Sequence, residues 1–128
     1  MSKFIDANIV LRFLLNDVGA TKVERLLRKE DSLYLADIVL AEIVWTLNVY
    51  YKKDKKEFIS QLKDFLLQDS IKADKKLLLA TLEIYEKEKI DYIDAYLVAL
   101  MKKRKERNLY SFDRHFDRIF GIRRIEPK

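Results

Sequence analysis

Apolar residues recur along the chain at two periods. A three-to-four spacing predicts helices over "ANIVLRFLLND" (7–17), "TKVERLLRKE" (21–30) and "IVLAEIVWTLNVYY" (38–51). The same spacing continues in "KKEFISQLKDFLLQD" (55–69), "DKKLLLATLEIYEKEK" (74–89) and a stretch from "DYIDAYLVALM" to about Arg107. Between them lie short runs that read as strands: "KFID", "LYLA", "SIKA", "NLYSF" and "GIRRI". "DRHFDRIF" reads as a short helical turn. Asp37, Asp74 and Asp91 stand where N-caps are expected. Strands alternating with helices of this length predict parallel crossovers and an α/β sheet covered on both faces. In such sheets the functional crevice lies beyond the carboxyl ends of the strands.

No repeat, low-complexity tract or Pro/Gly-rich linker divides residues 1–128, so one domain is expected. Hydrophobic residues make up 49% and charged residues 37%, a balance that suits a folded globular chain. No apolar run is long enough to span a membrane. The N-terminus has no basic segment followed by an apolar one, so no signal peptide is expected and the cytoplasm is. The absence of cysteine excludes disulfides, thiolate metal sites and a Cys nucleophile. The single histidine, His115, makes a His-based triad a poor fit, and any hydrolytic chemistry falls to carboxylates. A net charge of +5 permits a polyanionic partner and equally fits a Lys-rich surface.

Four acids occupy unusual places. Asp6 ends the first predicted strand and Asp113 the fourth; capping of the next segment is the alternative use for both. Glu42 is the only charged residue from Ile38 to Tyr51, and at helical spacing it falls between Ile38, Thr46 and Val49. It is expected to be buried, where an unpaired carboxylate is costly. Asp94 falls within a predicted apolar stripe of Ile90, Ile93, Leu97 and Leu100. Asp91, at the edge of that stripe, reads as the helix cap. Acids that converge need a cation, and oxygen-only ligands point to Mg²⁺ or Mn²⁺. These ions bind phosphate oxygens and support in-line displacement. An acid cluster on a basic chain is the layout expected of a metal-dependent nuclease.

These residues resemble the PIN-domain family, and within it the small VapC-like toxin ribonucleases. "FIDANIVLRFLL", "LAEIVWTL", "DYIDAYLVAL" and "LYSFDRHFDRI" match its motifs in order and spacing, over nearly the whole chain. The resemblance implies a three-layer α/β/α sandwich with a central parallel sheet. It implies Mg²⁺- or Mn²⁺-dependent cleavage of RNA phosphodiester bonds. Asp6 and Asp94 would be the principal metal ligands, with Glu42 and Asp113 completing the cluster. Asn8 would orient Asp6 or touch the substrate. Many members carry another acid where this chain has His115, which is expected to be a surface residue or a phosphate contact; Asp117 is expected in a turn. A small antitoxin protein and homodimerisation are also implied.

Arg114 is a candidate substrate contact, as are Lys22, Arg25, Arg28, Arg123 and Arg124. The basic run "MKKRKERN" suits the solvated end of a helix. Two rival readings remain at this level. "FIDAN" resembles the nucleophile strand of haloacid-dehalogenase-like phosphatases, but Asn8 stands where that family needs a second Asp. The other rival is a non-catalytic RNA-binding or scaffold module with a relict acid cluster.

Overall fold

The computed structural model describes residues 1–128. Strands β1 (Lys3–Phe4), β2 (Leu33–Tyr34) and β3 (Ile71–Lys72) form a parallel ladder in that order. Lys3 pairs with Leu33 and Leu33 with Ile71. The backbone N–H groups of Ile5 and Leu35 extend the pairing by donating to the Tyr34 and Lys72 carbonyls. Strands β4 (Asn108–Tyr110) and β5 (Arg123–Ile125) form a second parallel ladder, with Leu109 opposite Arg124. Parallel neighbours need crossover connections. Helices α1 (Ala7–Leu14) and α2 (Ala20–Lys29) join β1 to β2. Helices α3 (Asp37–Trp45) and α4 (Lys55–Leu66) join β2 to β3, and α5 (Lys75–Lys87) and α6 (Tyr92–Lys103) join β3 to β4. A 3-10 turn, Arg114–Arg118, joins β4 to β5. The result is the expected α/β/α arrangement, and every predicted element is found.

The strands are short, but their side chains seal the core. Leu33, Leu35 and Ile71 are fully buried, and a leucine or isoleucine so placed stabilises by about 1.5–3 kcal/mol. Helix α4 shows how the sequence makes a helix here. The Asp54 carboxylate accepts the Glu57 N–H at 3.1 Å, with an acid at the third helical position as in a capping box; such a cap contributes about 1 kcal/mol. Phe58, Ile59, Leu62, Phe65 and Leu66 then fall on one buried face. Helix α6 lies close against α5 because Ala95 and Ala99 are small and buried on the side it turns inward. The buried Thr81 hydroxyl is satisfied by donating to the Leu77 carbonyl at 2.8 Å.

Helix α3 departs from expectation in two ways. Its N-cap is Ala36, with no side-chain cap. Asp37 is the first helical residue, and its carboxylate accepts the Tyr96 hydroxyl at 2.6 Å, tying α3 to α6. The helix is apolar nearly all round, so burial of one side leaves the other in solvent: Ile38 is 79% and Val49 48% exposed. The last turn widens into a π-helix, Thr46–Tyr50, closed by the Tyr51 N–H donating to the Thr46 carbonyl.

Candidate active site

Two of the candidate acids stand at strand ends and a third in the first turn of α6. Asp6 follows β1 in extended backbone, and one of its oxygens accepts the Ile9 N–H at 3.2 Å, capping α1. Asp113 follows β4 and caps the 3-10 turn by accepting the His115 N–H at 2.9 Å. The same oxygen receives the His115 ring Nδ1 at 2.6 Å. These two bonds hold the Asp113 carboxyl below its ordinary range. Asp94, in the first turn of α6, is half-buried and has no ion pair. Partial burial pushes its pKa up, and the charges of Asp91 and Asp113 push it further, with His115 acting the other way.

Asp91, Asp94, Asp113 and His115 line one cleft of about 400 Å³, together with Asn48, Lys55, Tyr85, Lys89 and Ile90. The structure thus brings Asp94 and Asp113 to the same cleft. Asp6 and Glu42 are exposed and do not line it. No three carboxylate or imidazole groups stand close enough to form a ready-made ligand cage. The donor set is oxygen-rich, and the repulsion on Asp94 is not relieved by any paired cation. Those features fit a hard divalent ion.

Several expected placements need correction. Glu42 is not buried: it lies on the solvent side of α3, because Ile38 and Val49 beside it are exposed as well. The stripe proposed for Asp94 is broken, since Ile93 is 62% exposed and the buried face runs through Tyr92, Ala95, Val98 and Ala99. Asp91 occupies the N-cap backbone position, but its side chain accepts no helix N–H and lines the cleft instead.

The remaining candidates are more dispersed. The Asn8 side-chain oxygen accepts from Arg12 Nε at 2.6 Å, so Asn8 is engaged along its own helix rather than with Asp6. Arg114 is exposed and has no ion pair. Asp117 holds Arg124 through both carboxylate oxygens, at 2.8 and 3.2 Å, a structural fork that pins β5 to the turn. Arg28 pairs with Glu24. In the basic run, Lys102 and Lys103 close α6, and Lys103 pairs with Asp74 at 3.0 Å. Asn48, Lys55 and Tyr85 were not singled out in the sequence. Asn48 carried a signal, as the one amide in an otherwise apolar stretch; Lys55 lies in a lysine run, and nothing distinguishes it there.

No curated protein matches the chain. The model of the PIN-domain family matches residues 3–121, which include every acid discussed above. The chain therefore belongs to the PIN-domain family, whose members are generally nucleases, often metal-dependent.

Proposed function

We propose that this protein is a Mg²⁺- or Mn²⁺-dependent endoribonuclease and the toxin of a toxin–antitoxin pair. One observation carries the nuclease reading. Asp94 is held half-buried and unpaired beside two further carboxylates, and burial and like charge both oppose its ionisation. Removing a fold-imposed repulsion of this kind is what a bound cation does. Asp94 and Asp113 would hold it; Asp6 and Glu42, which the family resemblance adds to the set, lie outside the cleft lining. A divalent ion there supplies charge neutralisation at the phosphate and acidifies a water for in-line attack.

The chain's own residues have separable tasks. The backbone and ring nitrogens of His115 fix one Asp113 oxygen and leave the other without a hydrogen bond. Asp91 adds negative charge at the mouth of α6. The exposed apolar side of α3 and α6, with Ile38, Trp45, Val49 and Ile93, offers a surface for an antitoxin or a second copy. We further propose one catalytic domain over residues 1–128, acting in the cytoplasm.

A non-catalytic RNA-binding module is the second reading. It is favoured by the lack of three ligands within reach of one another. One assay separates the two. Purified protein, freed of any bound partner, is incubated with structured RNAs in Mg²⁺, in Mn²⁺ and in chelator. Cleavage in either metal and none in chelator is expected. RNA binding without cleavage in any metal would establish the second reading.

A further inference from the structure

The cleft that holds Asp94 and Asp113 also holds cations, and one of them is fixed in place. Lys55 is the first residue of α4, set by the Asp54 cap. Its Nζ lies 3.9 Å from the centroid of the Tyr85 ring. That ring is itself immobilised: it is buried, meets Tyr92 edge-on at 5.6 Å and stacks on Phe58 at 6.4 Å. An ammonium over an aromatic face is held by the ring quadrupole. Surface lysines ordinarily swing freely, so a half-buried lysine seated on a rigid ring is preorganised.

The charge on Lys55 is not consumed by the fold. No carboxylate stands within 4.0 Å of it, and its neighbour Glu86 pairs with Lys63 instead. Burial lowers its pKa while Glu86 and Asp91 pull it back up, so the amino group is partly stripped of water beside two acids that favour its charge. A lysine serving only as counter-charge to the acids would be expected in direct contact with one of them. This one faces the same cleft without touching them. A phosphodiester entering an acid-lined cleft brings further negative charge, and a compact ammonium is a suitable partner for it.

We infer that Lys55, seated on Tyr85, contacts a backbone phosphate of single-stranded RNA, forming a substrate subsite beside the acids. This rests on the nuclease reading for its substrate, but its test does not depend on cleavage. Binding of a short fluorescent single-stranded RNA is measured in chelator across a potassium chloride series. All variants carry Asp94→Asn, which stops turnover and lowers repulsion. Lys55→Gln is expected to weaken binding by roughly three- to tenfold. It should also reduce the slope of log affinity against log salt by about 0.7, the value for one single-strand phosphate contact. Lys55→Arg should keep most of the affinity and slope. Lys76→Gln, an equal loss of charge on an exposed part of α5, should change both less.

Lys55→Gln matching Lys76→Gln in affinity and slope would overturn the inference. So would equal losses in Lys55→Gln and Lys55→Arg with lowered melting temperatures, which would mark a structural role, and so would an Asp94→Asn parent that binds no RNA. Metal-dependent cleavage by the unmutated protein alongside any of these results leaves the nuclease reading standing. Lys55-dependent binding with no cleavage in any metal keeps the subsite and removes the nuclease.

Discussion

Asp94→Asn is expected to abolish metal-dependent RNA cleavage, by on the order of a hundredfold or more, and to make the metal-free protein more stable. Both effects have one origin. The fold holds Asp94 where burial, Asp91 and Asp113 all oppose its charge. Because its pKa is higher folded than unfolded, the folded state holds the proton more tightly. The metal-free protein should therefore lose stability as pH rises from the ordinary aspartate value through the raised one. The asparagine variant should lack that slope and melt a few degrees higher at neutral pH, roughly what a modest free-energy gain gives in a chain of this size. Asp113 runs the other way. Its lowered pKa contributes stability above the ordinary value, lost as pH falls through the lowered one. Cleavage assays with thermal melting across pH, in chelator, check the set. Full-rate cleavage by Asp94→Asn would refute the site assignment.

The second large effect lies behind the site. Phe58→Ala is expected to cost about 3–5 kcal/mol, the range for truncating a fully buried aromatic. Phe58 is 1% exposed and stacks on Tyr85. Its loss opens a cavity under the ring that carries Lys55. Urea unfolding should show a lowered midpoint with little change in slope. RNA affinity in the still-folded variant should fall as well, since the Lys55 platform loses its backing. Unchanged stability would mean that the α4–α5 packing tolerates collapse around the gap.

The fold was legible because its signals are local. Apolar periodicity marked each helix, and short β-rich runs between them required a parallel sheet, down to two-residue strands such as Lys3–Phe4. The strand-end positions of Asp6 and Asp113 were legible because a strand ending in Asp is visible in one dimension; that only Asp113 lines the cleft was not. Glu42 and Ile93 were misplaced for a common reason. A helix that is apolar on most sides does not disclose which side meets the core, and periodicity cannot choose. That choice is made by neighbours distant in sequence, as when the Tyr96 hydroxyl captures Asp37. Asp91 was read as a cap because its backbone does occupy that position; only the side chain's turn toward the cleft was hidden. Lys55 was invisible because its distinction is a ring thirty residues away.

No ladder joins β1 to β4: the strands form two sets, β1–β2–β3 and β4–β5. Asp6 rides on the first and Asp113 on the second, while Asp94 begins a helix packed on α5. The core cluster draws Leu33 and Ile71 from β2 and β3 and Ile5 and Leu35 from strand ends, while the C-terminal pair reaches it through Phe116 and Ile119 of the connecting turn and the partly buried Leu109. Opening of the C-terminal pair uncovers Phe116 and Ile119 but leaves the rest of that core covered, and it takes Asp113 and His115 with it. Regions with few buried contacts open at lower free energy than the whole. On warming, the acids should part company before the molecule melts, so the upper temperature limit for catalysis is set by the seam in the sheet and not by the core.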